Sequence, residues 1–186
     1  MTVEHTDTDG PDIQATLQGD EHAFARLVAR HQAVVFQQMW RFTRDRNEQD
    51  ELVQEVFIEV YRSLRNFRGR APFLHWLRRI ATRVGYRYWK HQARDRRLRE
   101  ALDQRPIAEF RPPEQQDPSE AAEQLHSLLG RLAPKDRLIL SLLYFDGCDP
   151  AEVAERMGWN ANLVRVRAHR ARQKLKKMLE DLGLKG

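Results

Sequence analysis

Apolar residues along this chain recur at spacings of three and four, the period of a helix with one buried side, and the pattern predicts an all-α fold. Ile13 to Gln18 forms a short first helix, broken at Gly19-Asp20, where Asp20 is placed to cap the next. From Ala23 to about Thr43, residues Phe24, Leu27, Val28, His31, Val34, Val35 and Met39 line one stripe. Asn47 offers a second cap, and the helix after it, Glu48 to Leu64, turns Leu52, Val53, Val56, Phe57, Val60 and Leu64 inward. Asn66 to Pro72 has the composition of a loop. Phe73, Leu74, Trp76, Leu77, Ile80, Ala81 and Val84 then mark the buried side of a long helix.

The pattern stops between Asp103 and Ser119, where Pro106, Pro112, Pro113 and Pro118 exclude a helix. The expectation is an extended linker over 101–118 joining two small helical domains, 12–100 and 119–186, behind a disordered lead over 1–11. In the second domain Leu125, Leu128, Leu129 and Leu132 belong to one helix. Leu138, Ile139, Leu142 and Leu143 belong to another, which Pro134 opens. Asp149-Pro150-Ala151-Glu152 combines a cap, a first-turn proline and a glutamate three residues after the cap, a strong helix start. That short helix ends at Gly158, and Asn160 caps the last one, Ala161 to about Leu182, with Val164, Ala168, Ala171, Leu175, Met178 and Leu179 inward. A short helix, a glycine-containing turn and a longer basic helix make a helix-turn-helix.

Charge sharpens this outline. Charged residues make up 32% of the 186 and the net charge is +5, which points to an anionic partner. The excess is local. From Arg78 to Arg99 the bases Arg78, Arg79, Arg83, Arg87, Lys90, Arg94, Arg96, Arg97 and Arg99 stand against the single acid Asp95, with Tyr86, Tyr88 and Trp89 among them. Phosphate-seeking charge interleaved with rings is what a single-stranded nucleic-acid site requires. A solvated helix face is the plainer alternative, and the near-complete imbalance argues against it. In the last helix, Asn160, Asn162, Arg165, Val166 and His169 are candidates for reading base edges, while Arg167, Arg170, Arg172 and Lys174 suit phosphates. Favourable charge near a helix carboxy terminus accounts for Lys174 to Lys177 but not for Arg165, which lies in the first turns.

Glu51, Glu55 and Glu59 are four residues apart and stack on one side of their helix, a repulsion that a basic partner surface would turn into attraction. A carboxylate-bridged metal site needs Glu-x-x-His pairs on facing helices, and none occurs. The chain also lacks a nucleophile constellation and a phosphate-cradling glycine loop, so an enzyme is not expected. Cys148 is the single cysteine, and the seven histidines are scattered rather than set at zinc spacing, so neither disulfide nor metal nor cofactor is expected. No apolar run approaches the roughly 18–20 residues of a membrane helix, and the amino terminus is polar, which predicts a cytoplasmic protein without membrane insertion.

The two halves together resemble the extracytoplasmic-function (ECF) sigma factors of bacterial RNA polymerase, over essentially Asp12 to Leu182. Asp20 to Val28 looks like that family's opening helix, and Asp50-Glu51-Leu52-Val53-Gln54-Glu55-Val56-Phe57 like its polymerase-binding helix. Phe67-Arg68-Gly69 through Phe73, Trp76-Leu77 and Arg79-Ile80-Ala81 is similar to the segment that recognises the minus-ten element. Leu132-Ala133-Pro134, Glu152 to Gly158, and Val164 to Arg167 with Arg170 to Arg172 resemble the minus-thirty-five reader.

The resemblance implies contacts with core RNA polymerase by Asp50, Glu51, Leu52, Gln54, Glu55, Phe57 and Glu59. It implies capture of melted minus-ten DNA by Asn66, Phe67, Arg68, Gly69, Arg70, Ala71, Arg79, Arg83, Tyr86, Arg87 and Lys90, with a flipped base held near Phe67. It implies minus-thirty-five duplex contacts by Asn160, Asn162, Arg165, Val166, Arg167, His169, Arg170 and Lys174. The linker would carry Phe110, Glu109, Glu114 and Asp117 toward the polymerase's catalytic cleft, and a separate anti-sigma factor would control the protein. Arg83 stands where the family commonly has Asn, Asn162-Leu163 where it often has Gly-Thr, and Val166 where it usually has serine, so promoter preference should be this chain's own. A helix-turn-helix regulator working without polymerase is the alternative. It explains Asp149 to Lys177 but not the acidic helix or the segment from Phe67 to Arg99.

Overall fold

The computed structural model describes residues 8–102 and 118–182, and the regular structure among them is helical. In chain order the elements are α1 (Asp9–Leu17), α2 (Glu21–Met39), α3 (Arg46–Ser63), a 3₁₀ turn (Leu64–Asn66), α4 (Phe73–Leu102), α5 (Pro118–Gly130), α6 (Pro134–Tyr144), α7 (Pro150–Met157) and α8 (Ala161–Asp181). The chain forms two compact units that divide between Tyr88 and Trp89, within α4 rather than at the proline-rich stretch. Most of that stretch, with Glu109, Phe110, Glu114 and Asp117, lies outside the described residues.

Two helix starts differ from the pattern-based expectation, and long-range or competing polar groups explain both. The disordered lead ends before residue 11, because α1 already begins at Asp9. Gly10 and Pro11 fit its first turn, where a missing N–H breaks no helical bond. The turn is pinned to α2: Arg30 reaches Asp9 at 2.5 Å and Asp12 at 2.7 Å, Arg26 reaches Asp12 at 2.7 Å, and His31 Nε2 lies 3.0 Å from Asp9. At α3 the cap is Asp45 rather than Asn47; its carboxylate accepts from the Asn47 and Glu48 amides at 2.8 and 3.1 Å, so the helix opens at Arg46. An aspartate two residues earlier competes successfully because its charge meets the positive end of the helix dipole.

In the first unit α1 packs on α2 and α2 on α3. The core is Leu27, Val35, Met39, Leu52, Val56, Val60, Leu64, Leu77, Ile80 and Val84, all buried. Each large aliphatic side chain removed from water in this way contributes about 1.5–3 kcal/mol. Gln49 is buried among them, and its Nε2 donates to the Phe36 carbonyl at 2.8 Å. Gly85 is where α4 passes over Phe42: a Cβ at that position would overlap the phenyl ring.

In the second unit Leu129, Leu132, Leu140 and Ala171 pack together, with Leu125, Leu175 and Met178 against them. Here the expected local chemistry is present. Asp149 and Glu152 form a reciprocal capping box with Pro150 in the first turn, and Gly158 ends α7 in the left-handed conformation. Asn160 accepts from the Asn162 and Leu163 amides at the start of α8. Gly158 and Asn160 thus write the turn that sets α8 on α7, and both α6 and α7 pack on α8.

Candidate nucleic-acid interface

Helix α8 buries Val164, Ala168 and Ala171, which leaves the opposite side to Asn162, Val166, His169, Arg170 and Gln173, all exposed. Val166 is 48% exposed, an apolar side chain on the outward side of the helix. Arg165 Nη1 donates to Asn162 Oδ1 at 3.0 Å, so this pair presents as one polar unit near the helix start. Three of the expected contact residues also make contacts within the unit. The Asn160 side chain is the helix cap. Arg167 is half-buried and donates to buried Asp136 at 2.6 Å, and Lys174 lies 4.0 Å from the same carboxylate. Arg167 and Lys174 sit seven residues apart on the flank facing α6, which is why one acid reaches both. Gln173, which charge counting passes over, shares the outward side with Val166 and Arg170. Arg172 donates to the Tyr144 hydroxyl at 3.1 Å.

In the first unit Asn66, the last residue of the 3₁₀ turn, and Arg68, Gly69, Arg70 and Ala71 of the loop after it are exposed. Gly69 takes φ +65°, a conformation that favours glycine. Phe67 is half-buried and packs against Phe73 at 5.6 Å and Trp76 at 5.3 Å between ring centroids, so the loop has a rigid aromatic floor. Arg79, Arg83, Tyr86 and Lys90 follow at spacings of four, three and four and share one side of α4. Of these Arg83 and Lys90 are exposed and Arg79 and Tyr86 half-buried. Partial desolvation first, and neighbouring Arg79 second, lower the pKa of Arg83, while Glu59 opposes them. A guanidinium so placed gains from an added phosphate.

The rest of the aromatic and basic segment is assigned differently. Trp89 is buried, and the Tyr88 hydroxyl donates to Glu48 at 2.5 Å, so neither ring is a free stacking platform. Arg87 turns away from the exposed stripe: its Nη2 lies 2.8 Å from Glu55 and 2.7 Å from Glu59 on α3. The hydrogen bond to Glu59, then that to Glu55, raise the Arg87 pKa.

On α3, Leu52 is 4% exposed and belongs to the core, so it leaves the proposed docking set. Phe57 is also largely buried, and only its edge reaches the surface groove described next. Asp50, Glu51, Gln54 and Glu55 are exposed and Glu59 is half-buried. Beside them lies an open groove of about 770 Å³ between α2 and α3, walled by Phe24, Val28, Val53, Ile58 and Tyr61, with Gln54 at its margin. Ile58 and Tyr61 are 50% and 51% exposed. Their position off the buried stripe of α3 was the available sequence signal for this surface.

A basic helix-turn-helix in one helical unit, and in the other a basic helix that follows an arginine-rich loop, with an open apolar groove nearby, define the class of a nucleic-acid-binding protein. A family model described as sigma-70 region 2 matches residues 27–95, and one described as sigma-70, region 4 matches residues 122–175. The chain is 32% identical over 183 residues to the RNA polymerase sigma-H factor of Pseudomonas aeruginosa, covering 91% of this chain and 93% of that one. It is 32% identical over 184 residues to the ECF RNA polymerase sigma-E factor of Escherichia coli, covering 94% and 96%. The solved structure of CnrH in complex with the cytosolic domain of CnrY matches with a TM-score of 0.59 at 26% identity, over 93% of this chain and 97% of that one. The chain belongs to the ECF RNA polymerase sigma factors. Among the described residues, no helix is long and apolar enough to cross a membrane.

Proposed function

We propose that this sigma factor divides its work among three surfaces. Core polymerase docks on the α2–α3 groove and the adjoining carboxylates, with Ile58, Tyr61, Gln54 and Glu51 as principal contacts. The loop Asn66–Ala71, with Arg79, Arg83, Tyr86 and Lys90, takes the melted minus-ten strand. Asn162, Arg165, Val166, His169 and Arg170 meet the minus-thirty-five duplex, where Val166 suits a thymine methyl group and Arg165 a guanine edge.

The observation that carries this reading is the pairing of an exposed apolar groove between α2 and α3 with a cationic stripe along α4. The reading assigns no catalytic step to the chain, which acts in the cytoplasm by directing the polymerase. A separate anti-sigma protein is proposed as a further partner; the structurally similar CnrH was solved in complex with another protein, the cytosolic domain of CnrY.

Run-off transcription with core polymerase on a promoter library tests the reading. Wild-type protein should select a two-part promoter, and Ile58→Lys should abolish both transcription and association with core while leaving the helical content intact. Tight, sequence-specific duplex binding by the protein alone, without association with core, would overturn it in favour of a polymerase-independent regulator.

A further inference from the structure

The acidic row on α3 and the basic row on α4 meet at one residue. Arg87 Nη2 bridges Glu55 Oε1 at 2.8 Å and Glu59 Oε2 at 2.7 Å, and these carboxylates belong to the helix whose exposed side forms the docking surface. None of the three side chains is deeply buried: Arg87 is 39%, Glu55 48% and Glu59 35% exposed. Each can therefore exchange this partner for another without leaving an unsolvated charge behind. Glu51, one turn earlier on the same side, makes no ion pair among the described residues. Arg83, one turn before Arg87, belongs to the exposed cationic stripe.

We propose that Arg87 is exchanged between two ligands: Glu55 and Glu59 hold it in the free protein, and a basic polymerase surface that takes those carboxylates releases it to the DNA strand beside Arg83. The inference rests on the docking role of the α3 face. It links the two binding events energetically without requiring either helix to move. By reciprocity, whatever DNA gains from polymerase docking, docking gains from DNA. The raised Arg87 pKa fits a cation held by two carboxylates in the free state. A clamp that merely fastened α4 to α3 would behave differently, because breaking it would weaken both functions together.

The test uses the full chain and two readouts. In the first, a fluorescein-labelled single-stranded oligonucleotide of random sequence is titrated without polymerase and binding is read by anisotropy. The double variant Glu55→Gln with Glu59→Gln should bind at least about fivefold more tightly than Glu51→Lys, the lower end of typical coupling between sites. Glu51→Lys shifts the net charge by the same two units and corrects for loss of negative charge alone. The excess should vanish when Arg87→Gln is added. An equal gain in Glu51→Lys, or a gain that persists without Arg87, overturns the proposal.

In the second readout, competition for core polymerase, Arg87→Gln should strengthen association by freeing the two carboxylates. Weakened association overturns the proposal: with a lowered thermal midpoint it makes Arg87 a structural clamp, and with an unchanged midpoint it makes Arg87 a polymerase contact. Glu51→Lys serves as the reference for the docking face itself: if it leaves core association unchanged, the docking assignment fails, whatever the oligonucleotide readout gives.

Discussion

Arg167 on α8 donates to the buried Asp136 carboxylate on α6 at 2.6 Å, so the recognition helix is held to the body of its unit by a charge-assisted bond. Lys174, two turns on, approaches the same carboxylate at 4.0 Å. One acid thereby engages two turns of α8 and adds to the hold of the buried Val164, Ala168 and Ala171. Asp136→Asn keeps the shape and removes the charge. Because Arg167 remains partly accessible to water, the expected loss of stability is about 1–3 kcal/mol, read as a lower denaturant midpoint. Minus-thirty-five-dependent transcription should fall with it. An unchanged midpoint would mean that Arg167 is free to serve phosphates.

Gly85 stands inside α4, where alanine would favour the helix by about 1 kcal/mol on propensity alone. The Phe42 ring occupies the space that its Cβ needs. Overpacking of this kind costs about 1–3 kcal/mol, so Gly85→Ala should destabilise the first unit despite the better helix former. Combining it with Phe42→Leu should restore part of the loss. Stabilisation by Gly85→Ala alone would show that the ring yields freely.

The Arg30 hydrogen bond first, and the Arg26 hydrogen bond second, hold the Asp12 carboxyl below its usual range. A carboxylate whose pKa is depressed by folding contributes stability above its unfolded value, about 3.9, and loses it as pH falls through the folded value. Attachment of α1 to α2 should therefore weaken below about pH 4. In Asp12→Asn that acid-dependent step should be absent, with a loss of about 1 kcal/mol at neutral pH, small because both arginines remain accessible to water. Hydrogen exchange in α1 across this pH range would show it. Identical pH profiles in the two proteins would remove Asp12 as the cause.

Arg165 and Arg170 should separate by the kind of loss they produce. Arg165 is oriented by Asn162 and is proposed to read a base edge; Arg165→Ala should relax preference at one upstream position by about 1–3 kcal/mol. Arg170→Ala should weaken binding across all promoter sequences and lower the salt dependence by about one phosphate contact. A reversed pattern in a promoter-library transcription assay would exchange their roles.

The order and kind of helices, the caps at Asp20, Asp149 and Asn160, and the turn between α7 and α8 were determined by the sequence alone. These depend on groups within about four residues of one another, so spacing and side-chain chemistry suffice. The division of labour among the charges was decided only by the tertiary structure. Arg87 lies 28 residues from Glu59 and Arg167 31 residues from Asp136, and no local pattern marks either pair. The same holds for Trp89, whose ring sits among cations in the chain but is buried in the fold, and for Ile58 and Tyr61, which the packing of α2 beside α3 leaves lining a groove. Helix formation follows near neighbours, whereas the partner of a long charged side chain is set by which helices the core brings within about 4 Å.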